Sequence, residues 1–274
     1  INPLLARSEI DRSISKIIFL PLIGYQNKGE LTPILAREFK IIDDGERYDF
    51  ILEDNISWQD GESITTNDVI FTLNILQSEG YEGPFSRSFD GVKLEKTSDI
   101  EFSFILPETN SSFASILSEV GILPEHKLRE VKAELLDKND FNFNPVGSGR
   151  YRFEPKESSQ NGESEVVLKK TDTYKKDAEG YFDKIIFRPY SSTPELVEAY
   201  KKGEINGFGG FNSTEAVAIN RQTFRCFRLQ IPRFTAIFLN LNQDNLKELK
   251  FRQALARAVN KEKIVKEVYG GEAE

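Results

Sequence analysis

Five stretches carry the short alternating or continuous apolar pattern of β-strands: Tyr48 to Glu53, Glu101 to Leu106, Glu165 to Lys170, Lys184 to Tyr190 and Thr235 to Asn242. Each is rich in Phe, Tyr, Ile or Val, the residues that suit a pleated, half-buried surface. Helical spacing takes over between and after them. From Val69 onward, Leu73 and Leu76 recur on one face, with Ile70 and Phe71 widening the stripe. Pro194 to Lys202 predicts a helix with Thr193 as its cap, Glu195 and Glu198 early, Lys201 and Lys202 late, and Gly203 past its end. Phe251, Leu255 and Val259 repeat at four-residue spacing. Asn260 can then cap a further helix carrying Ile264, Val265 and Val268 before Gly270-Gly271. Strands and helices mixed without a strict βαβ period place the chain in the α/β or mixed α+β class, and no internal repeat is visible.

Local chemistry sharpens this outline between Trp58 and Thr72. Asp60-Gly61 fits a turn whose glycine tolerates positive φ, and Thr65 can cap a helix with Asp68 near its third position. Asp68 then sits favourably at the helix dipole, in place of the longer Glu of a capping box. Trp58 is expected to be a core anchor. The polar run Glu157 to Glu165 predicts a loop at a hairpin tip. In Pro145-Val146-Gly147-Ser148-Gly149-Arg150-Tyr151 the glycines force a sharp turn, with Phe153 and Val166 opening a new strand region beyond it. That turn is expected to mark a domain boundary.

A chain of 274 residues with 39% apolar content has enough material for about two domains with real cores. No run of roughly 18 apolar residues occurs. Ile1 is not followed by a charged and then apolar leader, and methionine is absent, so a processed or trimmed chain is expected. Net charge is −8, with 44 acidic and 36 basic residues dispersed, which argues against nucleic acid as a partner. The one cysteine, Cys226, excludes an internal disulfide, and its setting Phe224-Arg225-Cys226-Phe227 alternates as a strand would, predicting a buried thiol.

Enzymatic constellations find no support. Gly207-Phe208-Gly209-Gly210 and Val146-Gly147-Ser148-Gly149 lack the spacing of phosphate-binding loops. His126 is the only histidine, so a histidine-rich metal site is impossible, and no G-x-S-x-G elbow accompanies it. A helix-start or core role is expected for His126. Carboxylate pairs such as Asp43-Asp44 carry no weight among so many acids. No catalytic residue, cofactor or metal ligand is assigned.

The run Trp58-Gln59-Asp60-Gly61 through Thr65, Asp68, Val69 and Phe71 resembles the W-x-DG-x-x-x-T-x-x-D-V-x-F pattern of extracytoplasmic solute-binding proteins that feed peptide- and nickel-type ABC importers. Further segments are similar to that family in the same order. They are Asn2-Pro3, Leu31 to Ala36 (L-x-P-x-LA), Ile122 to His126 (I-x-P-x-H), and Pro145 to Tyr151 (P-x-GTGPY, with Ser148 for Thr and Arg150 for Pro). Gly203 to Asn206 (G-E-I-D, with Asn for Asp) and Arg252 to Lys261 (R-x-ALA-x-A-I-D-R) complete the set.

The resemblance implies a periplasmic-binding-protein-like architecture of two lobes closing on a solute, the first lobe split by a smaller inserted α+β domain. It places lobe I at residues 1–20 and 147–245, the inserted domain at 21–146, and the hinge and first helices of a mostly missing lobe II at 246–274. A fragment of a longer protein is therefore expected. Ligand contacts are implied at Ala6, Arg7, Ser8 and Glu9, at Phe208, Gly209, Gly210 and Phe211, and on the hinge at Phe234, Ala236 and Phe238. Gly209-Gly210 reads either as a plain turn or as a place where a ligand backbone comes close between aromatic faces. The hinge aromatics read either as ligand contacts or as core.

The function implied is capture of an extracellular or periplasmic small solute, by family frequency an oligopeptide, for delivery to ABC permease subunits. A monomer without nucleic acid is expected, either free in the periplasm or anchored as a lipoprotein. Nickel is disfavoured because imidazole ligation would rest on His126 alone. A cytoplasmic ligand-sensing domain of a transcriptional regulator is the alternative, and a hydrolase the weakest one.

Overall fold

The computed structural model describes residues 1–26, 29–155, 165–173, 182–209 and 235–269. It divides into two compact units, Ile1–Pro189 and Tyr190–Glu274. The predicted loop tip at 157–164 and the alternating stretch around Cys226 lie outside the described residues.

Unit 1 opens with helix α1 (Glu9–Ile18) and the short antiparallel pair β1 (Ile23–Tyr25) and β2 (Leu31–Pro33). A four-stranded antiparallel sheet follows, made of β3 (Ala36–Ile42), β4 (Arg47–Leu52), β5 (Lys93–Lys96) and β6 (Glu101–Ile105) in the order β3-β4-β6-β5. Period-two patterning explains its inner face. Tyr48, Phe50 and Leu52 are buried while Arg47, Asp49 and Ile51 are only half-buried, and the register sets Tyr48 opposite Phe104 and Phe50 opposite Phe102. Phe104 meets Phe50, Phe102 and Phe113 edge-on, with centroids 5.6 to 5.9 Å apart. Such tilted pairs add favourable quadrupole contact to the area they bury.

Helix α2 (Thr66–Leu76) turns Val69, Leu73, Ile75 and Leu76 into the same core. Its start is the capping box expected from Thr65 and Asp68: the Thr65 hydroxyl accepts from the Asn67 N–H at 3.2 Å, and the Asp68 carboxylate accepts from the Thr65 N–H at 2.8 Å. Short helices α3 (Phe113–Leu117) and α4 (Glu125–Leu128) come next. The glycine turn then leads into a three-stranded antiparallel sheet of β7 (Tyr151–Phe153), β8 (Val166–Lys170) and β9 (Lys184–Phe187), as the sequence beyond Tyr151 predicts.

Unit 2 contains α5 (Thr193–Lys201), α6 (Asp244–Lys247), α7 (Leu249–Ala258) and α8 (Lys261–Val268). The cap of α5 is Ser192, one residue before the predicted Thr193. Ser192 is extended and its hydroxyl accepts from the Glu195 N–H, which leaves Thr193 inside the first turn. Gly203 ends this helix at φ +74°. Asn260 caps α8 as expected, accepting from the Lys263 N–H at 2.9 Å. Residues 235–242 do not form the predicted strand. A strand needs a neighbouring ladder to satisfy its backbone, and among the described residues none pairs with this segment. Leu249, Phe251, Leu255, Ile264 and Val268 leave an apolar stripe of α7 and α8 exposed.

Candidate functional site

The N-terminal loop that precedes α1 is held from several sides. Asn2 turns it by accepting from the Leu4 N–H at 3.0 Å, and donates from Nδ2 to Asn142 Oδ1 at 3.0 Å. The Tyr81 hydroxyl donates to the Leu4 carbonyl at 2.7 Å and accepts from the Phe85 N–H at 3.3 Å. Burial pushes the pKa of this phenol up to about 12, so it stays a donor throughout the working pH range. Arg7 Nη2 donates to the Glu82 carbonyl at 2.6 Å, and Arg12 Nη1 donates to the Arg7 carbonyl at 2.6 Å. Glycine is required at position 83, since an added Cβ would lie 2.3 Å from the Leu4 carbonyl oxygen. Segment 80–85 therefore cradles the loop.

Of the site residues predicted here, Ala6 is buried, Ser8 caps α1 by accepting from the Asp11 N–H at 3.1 Å, and Glu9 stands exposed in the first turn. Arg7 has its guanidinium engaged by main chain. In unit 2, Phe208 is half-buried with its ring edge-on to Tyr200, centroids 5.7 Å apart. Gly209 is exposed with open space around it, while Ala236 and Phe238 are exposed, Phe238 by 91%. Gly210, Phe211 and Phe234 lie outside the described residues. Tyr81, Glu82 and Gly83 support the loop from a segment to which the sequence assigns no role. The one local signal for them is an aromatic followed closely by Gly83-Pro84 within a polar run.

The segments singled out in the sequence also bond to one another. Trp58 is fully buried, as expected of a core anchor. Its indole N–H lies near enough to the Asp68 carboxylate to help ionise it, but makes no hydrogen bond of ordinary geometry. Asp68 Oδ1 accepts from the Glu125 N–H at 2.9 Å, and the Thr72 hydroxyl accepts from the Leu123 N–H at 3.0 Å. Burial raises the pKa of Asp68 above the usual carboxylate range, against the N–H groups of Thr65 and Glu125.

Asp60 Oδ2 takes both His126 Nε2 and Lys127 Nζ at 2.9 Å. Burial pushes the pKa of Asp60 up, but the His126 and Lys127 partners outweigh it and hold the carboxyl below its ordinary value. His126 thus sits at a helix start, as the sequence suggests. Among the described residues no three His, Cys, Asp or Glu side chains gather into a metal-binding group.

The glycine turn is joined to the same frame. Ser148 and Gly149 donate their N–H groups to the Ile18 carbonyl at 3.0 and 2.8 Å, and the Ser148 hydroxyl accepts from the Leu20 N–H at 2.9 Å. The C-terminus of α1 is satisfied in this way, with its N-terminus carrying the loop.

These linked segments match a known family over most of the chain. The model of bacterial extracellular solute-binding proteins, family 5 Middle, matches residues 30–274. The chain belongs to this family. Among its family 5 relatives, the oligopeptide-binding protein AppA of Bacillus subtilis (strain 168) is 28% identical over 100% of this chain and 50% of its own length. A putative ABC transporter peptide-binding protein of Brucella ovis is 29% identical over 93% of this chain and 48% of its own length. The chain spans about half the length of the curated relatives it matches. Among solved structures, AppA from Bacillus subtilis in complex with a nonapeptide matches with a TM-score of 0.77 at 27% identity, over 100% of this chain and 54% of that one. NikZ from Campylobacter jejuni in complex with Ni(L-His) matches with a TM-score of 0.78 at 26% identity, over 100% and 53%.

Proposed function

We propose that this chain supplies the first part of a solute receptor for an ABC importer, which takes up an oligopeptide outside the cytoplasm and hands it to membrane permease subunits without catalysis. The observation that carries this reading is the match along the whole chain, in sequence and fold, to AppA, whose solved complex contains a nonapeptide. NikZ is comparably similar and its complex contains Ni(L-His). The sole histidine of this chain is instead bound to Asp60 beside Trp58, which favours the peptide reading.

In this proposal lobe I takes residues 1–20 and 147–245, the inserted domain 21–146, and residues 246–274 begin lobe II. The wall offered by lobe I comprises Ala6 to Glu9, Phe208 to Phe211 and the hinge at Phe234, Ala236 and Phe238. Closure of the second lobe over bound solute shifts the receptor to its closed population, because only that state has contacts to both walls. One wall alone then binds weakly.

Calorimetric titration of a mixed nonapeptide library into this chain and into the complete gene product tests the proposal. Micromolar binding, about −8 kcal/mol, is expected of the complete protein, with the 274-residue chain well short of it. Equal tight binding by both would place a whole site within this chain. Absence of peptide binding by the complete protein would overturn the peptide reading.

A further inference from the structure

The sequence contains two Asn-Gly pairs, at 161–162 and 206–207, and the second lies among the described residues. Asn206 and Gly207 are both exposed, in the stretch that follows Gly203 at the end of α5. A Cβ added at Gly207 would meet nothing within 4 Å, so among the described residues none crowds this glycine. Among the described residues, neither the Asn206 side-chain amide nor the Gly207 N–H is held by a hydrogen bond.

The other described asparagines differ in kind. Each is followed by a residue with a side chain, and several are fixed: Asn139 and Asn260 cap helices, Asn142 donates to the Leu136 and Asp137 carbonyls, and Asn67 accepts from Lys96. A side chain on the following residue crowds the approach of its backbone nitrogen to the asparagine amide, and a hydrogen-bonded amide has to be released before it can react. Position 206 has neither obstacle.

We infer that Asn206 is a site of spontaneous deamidation, a covalent modification that converts it to aspartate and isoaspartate. The step needs only water. The Gly207 backbone nitrogen attacks Asn206 Cγ, forming the N–Cγ bond and losing its proton to solvent. The Cγ–Nδ2 bond breaks, and Nδ2 leaves as ammonia. Water then opens the resulting five-membered imide. Cleavage at the Cγ carbonyl gives aspartate, and cleavage at the backbone carbonyl gives isoaspartate, which routes the main chain through the side-chain carbon. Either product adds one negative charge two residues before Phe208. The isoaspartyl form also lengthens the main chain leading to the edge contact of Phe208 with Tyr200. The inference concerns the chemistry of this dipeptide and stands apart from the peptide-receptor reading.

Peptide mapping by mass spectrometry, on the intact 274-residue chain held folded at mildly alkaline pH, tests it. Among the described asparagines, Asn206 is expected to gain the acid mass first, in two chromatographically distinct products. Gly207→Ala is expected to lose that acid product over the interval in which the parent chain converts. Circular dichroism on the same samples confirms that both chains remain folded. Conversion at Asn206 no faster than at Asn67 would overturn the assignment, and so would unchanged conversion in the Gly207→Ala chain.

Discussion

Gln59 and Gly147 exchange two hydrogen bonds across 88 residues of sequence. The Gln59 N–H donates to the Gly147 carbonyl at 2.9 Å, and the Gly147 N–H donates to Gln59 Oε1 at 2.9 Å. The same side chain donates from Nε2 to the carbonyls of Gly149 and Tyr151, each at 2.9 Å. One amide thus satisfies three main-chain groups of the glycine turn, while its own backbone fixes the turn that carries Trp58 and Asp60.

Gln59→Ala should therefore be costly for a residue outside the apolar core. It leaves one N–H and two carbonyls without their partner, at a total of about 2–3 kcal/mol. Urea denaturation checks it as a lowered midpoint with unchanged slope. Gln59→Glu keeps an acceptor for the Gly147 N–H but sets a carboxylate oxygen against the Gly149 and Tyr151 carbonyls, and should cost at least as much as Gln59→Ala at neutral pH.

The two kinds of glycine in this frame separate cleanly. At Gly149 an added Cβ would lie 2.2 Å from the Ile17 carbonyl oxygen, whereas at Gly61 it would meet nothing within 4 Å and only the φ of +95° resists it. Gly149→Ala should cost about 3 kcal/mol, because the turn has to back away from α1. Gly61→Ala should cost about 1–2 kcal/mol of backbone strain alone. Equal midpoints for the two variants would show that the close approach at Gly149 is not what fixes the turn.

Trp58→Ala removes the largest fully buried side chain and should cost about 3–5 kcal/mol. Thr65→Ala removes one half of the capping box and should cost about 1 kcal/mol. Neither residue belongs to the proposed wall, so the peptide affinity of the folded complete protein should stay unchanged in both. Loss of affinity at an unchanged melting temperature in Trp58→Ala would contradict its role as core.

What the sequence discloses follows the reach of each interaction. The capping box of Thr65 and Asp68, the cap at Asn260 and the burial of Trp58 depend on spacing within a turn or two, and all are legible. Strands at Tyr48, Glu101, Val166 and Lys184 are legible because alternation is a property of the segment itself. Ser192 and Thr193 offer adjacent hydroxyls before Pro194, and only the backbone conformation decides between them. Thr235 to Asn242 has strand composition without a ladder to join. The surroundings of the proposed wall residue Arg7 are harder to read, because the supports of its loop are distant in sequence. Tyr81 reaches Leu4 across 77 residues and Arg7 reaches Glu82 across 75, and no local pattern signals that the Arg7 guanidinium is already engaged.

The two acids of the frame should make stability respond to pH in opposite directions. The pKa of Asp60 is held below its ordinary value by His126 and Lys127, against the partial desolvation of its side chain. Its contribution is present above the ordinary carboxylate pKa and is lost as pH falls through the lowered folded value. Asp68 is raised by burial, so its contribution is fully present below the ordinary value and is lost as pH rises through the raised folded one. Asp60→Asn should therefore be less stable than the parent at neutral pH, with the gap closing in acid. For Asp68→Asn the parent should gain on the variant as pH falls through the range just above the ordinary carboxylate value. Urea midpoints measured from neutral to acid pH decide both. A gap for Asp60→Asn that stays constant across that range would show that the contacts from His126 and Lys127 to the Asp60 carboxylate contribute nothing to holding the turn.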